Sequence, residues 1–201
     1  MKKLKRNHHY FFWRGLLRPI FFLKYRTIYK GAENIPAEGA YILASNHRES
    51  IDPIFISAGT KREIKYMAKE ELFENKFVSW FLRSLGAFPV SRGKADRGAI
   101  KHFEEVLSSG YLMGIFIEGT RSKTDEFLPP KNGVSLIAYD TKTPVIPVCI
   151  THVGKRRVVH YGEPLSMTDM GFDKGGAREF RGASRIIMDR IKALREQDLN
   201  G

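Results

Sequence analysis

Tyr111-Leu112-Met113-Gly114-Ile115-Phe116-Ile117 is an apolar run of strand length, and a polar turn, Glu118-Gly119-Thr120-Arg121-Ser122, follows it at once. Runs that are apolar at successive positions, without polar alternation, belong to central strands of sheets covered on both faces. Outward from this run the same organisation repeats. Tyr41–Ala44, Ile64–Ala68 and Ala87–Val90 read as strands upstream, and Val145–Ile150 and Val158–Tyr161 downstream. Helical patterns separate them: Pro53–Gly59, then Phe77–Leu85 with Gly86 as its stop, and Asp96–Ser108 with Ile100, Phe103, Val106 and Leu107 on one face. Val134–Tyr139 follows, and Ala183–Glu196 closes the series with Ile186, Ile187, Ile191 and Leu194 inward. Strands alternating with helices predict an α/β fold, a mostly parallel central sheet flanked by helices. Pro89 cannot donate to a ladder, so its strand belongs at an edge or ends there. Asp169–Gly176, rich in glycine and charge, reads as a mobile loop.

The sequence divides at about residue 27. Residues 28–201 make the α/β domain, and residues 1–27 an amphipathic, membrane-associating helical segment. Trp13, Leu16, Leu17, Ile20 and Leu23 keep helical spacing, Arg14 and Arg18 fall on another face, and Pro19 predicts a kink or two short helices meeting. Basic residues mixed with bulky aromatics, too charge-interrupted for a span, characterise a segment lying in a membrane interface. Docking of an apolar face onto the domain core is compatible with this along a different face. No run of about 18 uncharged apolar residues occurs, and no small-residue cleavage site follows the basic start, so a cytoplasmic chain is expected. The net charge of +12 restricts partners to anionic ones: nucleic acid, an anionic membrane surface, or acidic and phosphorylated substrates. The single cysteine, Cys149, excludes an internal disulfide and reads as a small core residue of a buried strand.

Polar clusters follow the strands, where ligands gather in such sheets: Asn46-His47, Lys69-Glu70, Ser91-Arg92 and Glu118–Ser122. In Asn46-His47-Arg48-Glu49-Ser50-Ile51-Asp52-Pro53 a histidine leaves a strand and an aspartate follows five residues later. Two readings stand. Asp52-Pro53 has the form of a helix N-cap with proline at the first helical position. Alternatively the carboxylate orients the imidazole of a general base, the arrangement a hydroxyl nucleophile needs. In Phe116–Ser122 a glycine at a strand end lets backbone approach a ligand, and Arg121 offers a planar fork suited to phosphate. A tight turn with a solvated arginine is the plainer reading.

Together these residues resemble the glycerolipid acyltransferase family, specifically the bacterial 1-acylglycerol-3-phosphate acyltransferases. The family's Asn-His-x-x-x-x-Asp block is matched by Asn46, His47 and Asp52, its second block by Gly86 to Arg92, and its Phe-x-Glu-Gly-Thr-Arg-Ser block by Phe116 to Ser122. A fourth, proline-containing block resembles Val145–Ile150, so the likeness runs from about residue 30 to 165. The resemblance implies transfer of an acyl chain from a thioester, acyl-CoA or acyl carrier protein, to a lysophospholipid hydroxyl, with no metal and no resident cofactor. It implies His47 as base and Asp52 as its partner. Glu118, Gly119, Thr120 and Arg121 would hold the glycerol-phosphate, with Arg92 and Lys69 neutralising the phosphate. Backbone amides near His47 are expected as oxyanion donors. Ile54, Phe55, Phe77, Trp80 and Phe81 are candidates for an acyl groove, with ordinary core as the alternative.

Other readings make different demands. A nucleic-acid binder would use the positive charge, but the basic residues are dispersed and no recognition motif is present. A peripheral lipid-binding module would need the amphipathic segment alone. A hydrolase would use Ser45 or Ser50 beside His47.

Overall fold

The apolar runs form one sheet. The computed structural model describes residues 7–90 and 97–200, with the backbone alone at 97–100. Its strands are β1 (Ile28–Lys30), β2 (Tyr41–Ser45), β3 (Ile64–Lys69), β4 (Ala87–Val90), β5 (Leu112–Phe116), β6 (Val145–Val153) and β7 (Arg156–Tyr161), in the order β1-β7-β6-β2-β5-β3-β4. Strands β6, β2, β5, β3 and β4 are mutually parallel. β7 turns back antiparallel to β6, and β1 pairs parallel to β7. The strand of Pro89, β4, is an edge strand, as its missing donor requires.

Helices α1 (His8–Tyr25), α2 (Asp52–Gly59), α3 (Lys76–Ser84), α4 (Arg97–Ser108), α5 (Gly133–Thr141) and α6 (Ala177–Asn200) complete the chain. On one side of the sheet Leu43, Ile64, Tyr66, Leu112 and Ile146 pack with Phe55 and Ile56 of α2 and Phe21 of α1. On the other, Ile42, Met113 and Val145 pack with Phe103 and Val106 of α4, Ile137 of α5, and Ile187 and Ile191 of α6. Burial on both faces is why the central strands read as uninterrupted apolar runs. Cys149 is 0% exposed within β6. Burial pushes its thiol up to about 12, which leaves it a neutral, inert core group.

The amphipathic segment forms α1. Of the two alternatives at Pro19, two meeting helices are excluded, since a single helix runs through it. Both Pro19 and Gly15, whose carbonyl loses its helical donor, are exposed, so water can satisfy that carbonyl. The helix docks through Tyr10, Leu17, Phe21 and Tyr25. Phe12, Leu16, Ile20, Phe22 and Leu23 face outward, so the expected apolar stripe contributes only Leu17 to that core. Arg14, four residues after Tyr10, shares the docking side, where burial lowers its guanidinium below the ordinary value.

Asp169–Gly176 lacks helix and strand, but it is fastened: the Glu179 carboxylate accepts from the N–H of Asp173 and of Gly175, each at 3.0 Å, and Tyr139 donates to the Lys174 carbonyl at 2.6 Å.

Candidate active site

β2 ends at Ser45, between Phe116 of β5 and Val148 of β6, so the chain emerges at the middle of the C-terminal edge of the parallel strands. Asn46 prolongs the ladder with its side chain: Nδ2 donates to the Ile150 carbonyl at 3.0 Å and Oδ1 accepts from the Ile150 N–H at 2.8 Å. That amide acts as a substitute backbone and fixes where the next residue, His47, leaves the sheet.

His47 Nδ1 lies 2.8 Å from Asp52 Oδ2. The same oxygen accepts from the N–H groups of Arg48 at 2.7 Å and Glu49 at 2.8 Å. Asp52 thus closes the loop behind it, whereas the first amides of its own helix, Ile54 and Phe55, donate to the Ile51 carbonyl. A carboxylate that only capped α2 would point forward, so the geometry favours the orienting reading. Asp52 is 1% exposed at its side chain and His47 17%, which buries the carboxylate and brings the imidazole to the surface. An Nδ1–H held by a carboxylate leaves Nε2 bare, the form a general base needs.

The Glu118–Ser122 turn is bonded to His47 itself. Glu118 Oε1 accepts from the His47 N–H at 2.9 Å, Oε2 accepts from the Leu128 N–H at 2.8 Å, and the Ser122 N–H donates to the His47 carbonyl at 2.8 Å. Gly119, at φ 70°, makes the reversal, and a Cβ there would come within 3.1 Å of Lys131 Cγ. Thr120 and Arg121 are exposed on the turn. Arg121 therefore stands on the same short, hydrogen-bonded unit as the imidazole.

Two expectations need correction. Glu118 is not placed to hold substrate: it is 1% exposed, and both oxygens are occupied in positioning His47 and the Leu128 segment. Burial raises its carboxyl above the ordinary value, and the Leu128 and His47 amides hold it back. The backbone amides of His47, Arg48 and Glu49 are not free for an oxyanion either, since Glu118 and Asp52 take all of them. Lys69 is exposed at the C-terminal end of β3, on the same edge of the sheet. Arg92 lies outside the described residues. Of the acyl-groove candidates, Phe55 is core, Ile54 is half-buried against it, Phe81 lies against Trp13, and Phe77 and Trp80 face outward at 73% and 49% exposure. No group of three or more His, Cys, Asp and Glu that could hold a metal occurs among the described residues.

A charged ring surrounds the loop. Arg48 pairs with Asp125, and Arg157 Nη2 lies 3.2 Å from Glu49 Oε1. His152, whose Nε2 is 3.8 Å from the same oxygen, is held below its ordinary value by burial and by Arg157 and Arg48. Motif reading missed this ring, and also Asn46's role, because both join residues far apart in sequence, 108 positions for Glu49 and Arg157 and 104 for Asn46 and Ile150. Ser45 offers no nucleophile: its hydroxyl is buried and directed to Asn46 Oδ1 at 3.4 Å.

Known proteins resemble this arrangement in sequence and fold. The acyltransferase family model matches residues 26–151. A 1-acyl-sn-glycerol-3-phosphate acyltransferase of Bacillus subtilis is 34% identical over 195 residues, covering 92% of this chain and 96% of its own length. One from Streptococcus pneumoniae is 33% identical over 71% of this chain, which spans 56% of that relative. The 1-acyl-sn-glycerophosphate (LPA) acyltransferase PlsC from Thermotoga maritima superposes with a TM-score of 0.69 at 25% identity, over 92% of this chain and 80% of its own. The sheet edge that presents His47 lies within the matched segment, and the chain belongs to the acyltransferase family.

Proposed function

We propose that the protein transfers a fatty acyl group from an acyl thioester, acyl-CoA or acyl carrier protein, to the sn-2 hydroxyl of 1-acylglycerol-3-phosphate, giving phosphatidic acid. The observation that carries this is His47 held through Nδ1 by a buried carboxylate and bonded through its backbone to the turn bearing Arg121. The names of the relatives point to the same acceptor. His47 Nε2 takes the hydroxyl proton as the oxygen attacks the thioester carbonyl. A C–O bond forms, the C–S bond breaks, and the departing thiolate receives the proton. Asp52 stabilises the imidazolium between the two transfers. The thioester is already activated, so no covalent enzyme intermediate is needed. Thr120 and Arg121, with Gly119 allowing close approach, Lys69 from the end of β3, and Arg92, receive the phosphate.

The protein works at the cytoplasmic face of the cell membrane, as a peripheral or monotopic enzyme on an anionic surface and not on nucleic acid. No helix among the described residues is long and apolar enough to cross a membrane. α1 meets α3 through the Trp13–Phe81 contact at 5.3 Å and the His9–Trp80 contact at 6.3 Å, with exposed Phe12 against Trp13 at 5.4 Å and exposed Phe77 against Trp80 at 6.1 Å, so Phe12, Trp13, Phe77 and Trp80 belong to one apolar surface. An apolar patch continuous over two helices suits insertion among headgroups. Changing Phe22 and Leu23 to serine should weaken binding to anionic vesicles without abolishing turnover on dispersed substrate; unchanged binding would remove α1 from that role. The reaction is tested by offering labelled acyl-CoA and acyl carrier protein with a panel of lyso-acceptors and reading product positions by mass spectrometry. Phosphatidic acid from 1-acylglycerol-3-phosphate is expected, and free fatty acid without acceptor would indicate a hydrolase.

A further inference from the structure

Gly114 lies in the middle of β5, where a residue without a side chain weakens a strand unless another group needs the space. It pairs with Tyr66 of β3, and a Cβ at Gly114 would come within 2.1 Å of Tyr66 Cε1. The Tyr66 ring therefore lies flat across the β5 backbone. Phe116, two residues along the same strand, projects on the same face as Gly114. Its ring stands beside Tyr66 with centroids 6.3 Å apart and planes inclined by 20°. The imidazole of His47 rests on the other side, 3.8 Å from Phe116 and within 13° of parallel.

The geometry points to Tyr66 and Phe116 as positioning residues for His47, forming with it an aromatic column founded on Gly114. The bond to Asp52 fixes the direction of Nδ1 but leaves the ring free to tilt about that bond. The face of Phe116 removes the tilt and so fixes the direction of Nε2, and Tyr66 stops Phe116 from yielding. Buried aromatic rings are among the stiffer supports available, with few rotatable bonds to relax. The Tyr66 hydroxyl is buried on the side of Ser57 and Asp52, so removing the oxygen alone, in Tyr66→Phe, separates its part from that of the ring. Phe116 is only half-buried and Tyr66 is 5% exposed, so the two can be disturbed separately.

This assignment rests on His47 being the base, and the test separates the two claims. Phe116→Leu and Tyr66→Leu should each lower kcat by about 10- to 100-fold, the scale of a small misplacement of a catalytic group, with acceptor KM little changed. Tyr66→Phe should recover most of the turnover. In the histidine NMR spectrum, the ring resonance that disappears in His47→Ala should move downfield in Phe116→Leu, because the shielding of the stacked ring is lost. If Tyr66→Leu does not fold, Phe116→Leu alone decides. Wild-type kcat in Phe116→Leu with an unmoved His47 resonance, while His47→Ala is inactive, would overturn the column and leave the base intact. An active His47→Ala would overturn both.

Discussion

His47 meets Asp52 at 2.8 Å and His160 meets Asp198 at 3.0 Å, each through Nδ1, and both carboxylates are buried, at 1% and 0% side-chain exposure. The two imidazoles are about equally accessible, at 17% and 15%. Their surroundings differ. Asp198 is held by other elements on both oxygens: Oδ1 also faces Lys30 Nζ at 3.2 Å, and Oδ2 accepts from Thr151 at 2.9 Å. It joins the last turn of α6 to β1, β6 and β7 and behaves as a lock on the sheet. Asp52 spends one oxygen on the loop carrying His47, and its other oxygen is buried without a partner among the described residues. His47 also carries a ring stacked on one face and a turn with an exposed arginine bonded to its backbone. A histidine–aspartate pair is therefore not a catalytic signature by itself; what holds the carboxylate, and what stands beside the other nitrogen, separates a base from a clasp.

Exchanging the carboxylates sharpens this contrast. Asp52→Asn should lower kcat by about 10²–10⁴-fold through a misassigned tautomer, and full activity with altered thermal stability would reduce Asp52 to a helix cap. Asp198→Ala should leave kcat of the folded protein near normal and cost about 1–3 kcal/mol of stability, since it leaves the buried Thr151 hydroxyl and the His160 imidazole without their acceptor. Loss of turnover at unchanged stability would instead make the two pairs alike. Arg121→Ala should mainly raise the acceptor KM, by about 10-fold, the scale of one hydrogen bond to a charged group. Unaltered acceptor affinity would detach the turn from the phosphate.

The sequence made the first pair visible and hid the second. His47 and Asp52 are five residues apart in one loop, whereas His160 and Asp198 are 38 apart on different elements. The parallel core was legible because strands covered on both faces are apolar throughout, and Pro89 marked the edge correctly. β1 escaped because Ile28–Lys30 is too short to display a period. The ends of α6 escaped because Ala177–Gly182 and Gln197–Asn200 carry little apolar pattern. Glu118 took a substrate-holding role from the motif as a whole, and only the closure of that turn onto the His47 amide shows that it faces inward. Gly114 was likewise passed over within an apolar run, although its missing side chain is what admits Tyr66.

The central claim is that the His47 imidazole removes the acceptor's proton. It is tested most directly by steady-state acyl transfer to 1-acylglycerol-3-phosphate by purified His47→Ala, matched to the unsubstituted protein in thermal midpoint. A fall of about 10²–10⁴-fold in kcat is expected, the range for a positioned general base. Turnover equal to that of the unsubstituted protein, in a variant that melts at the same temperature, would contradict it.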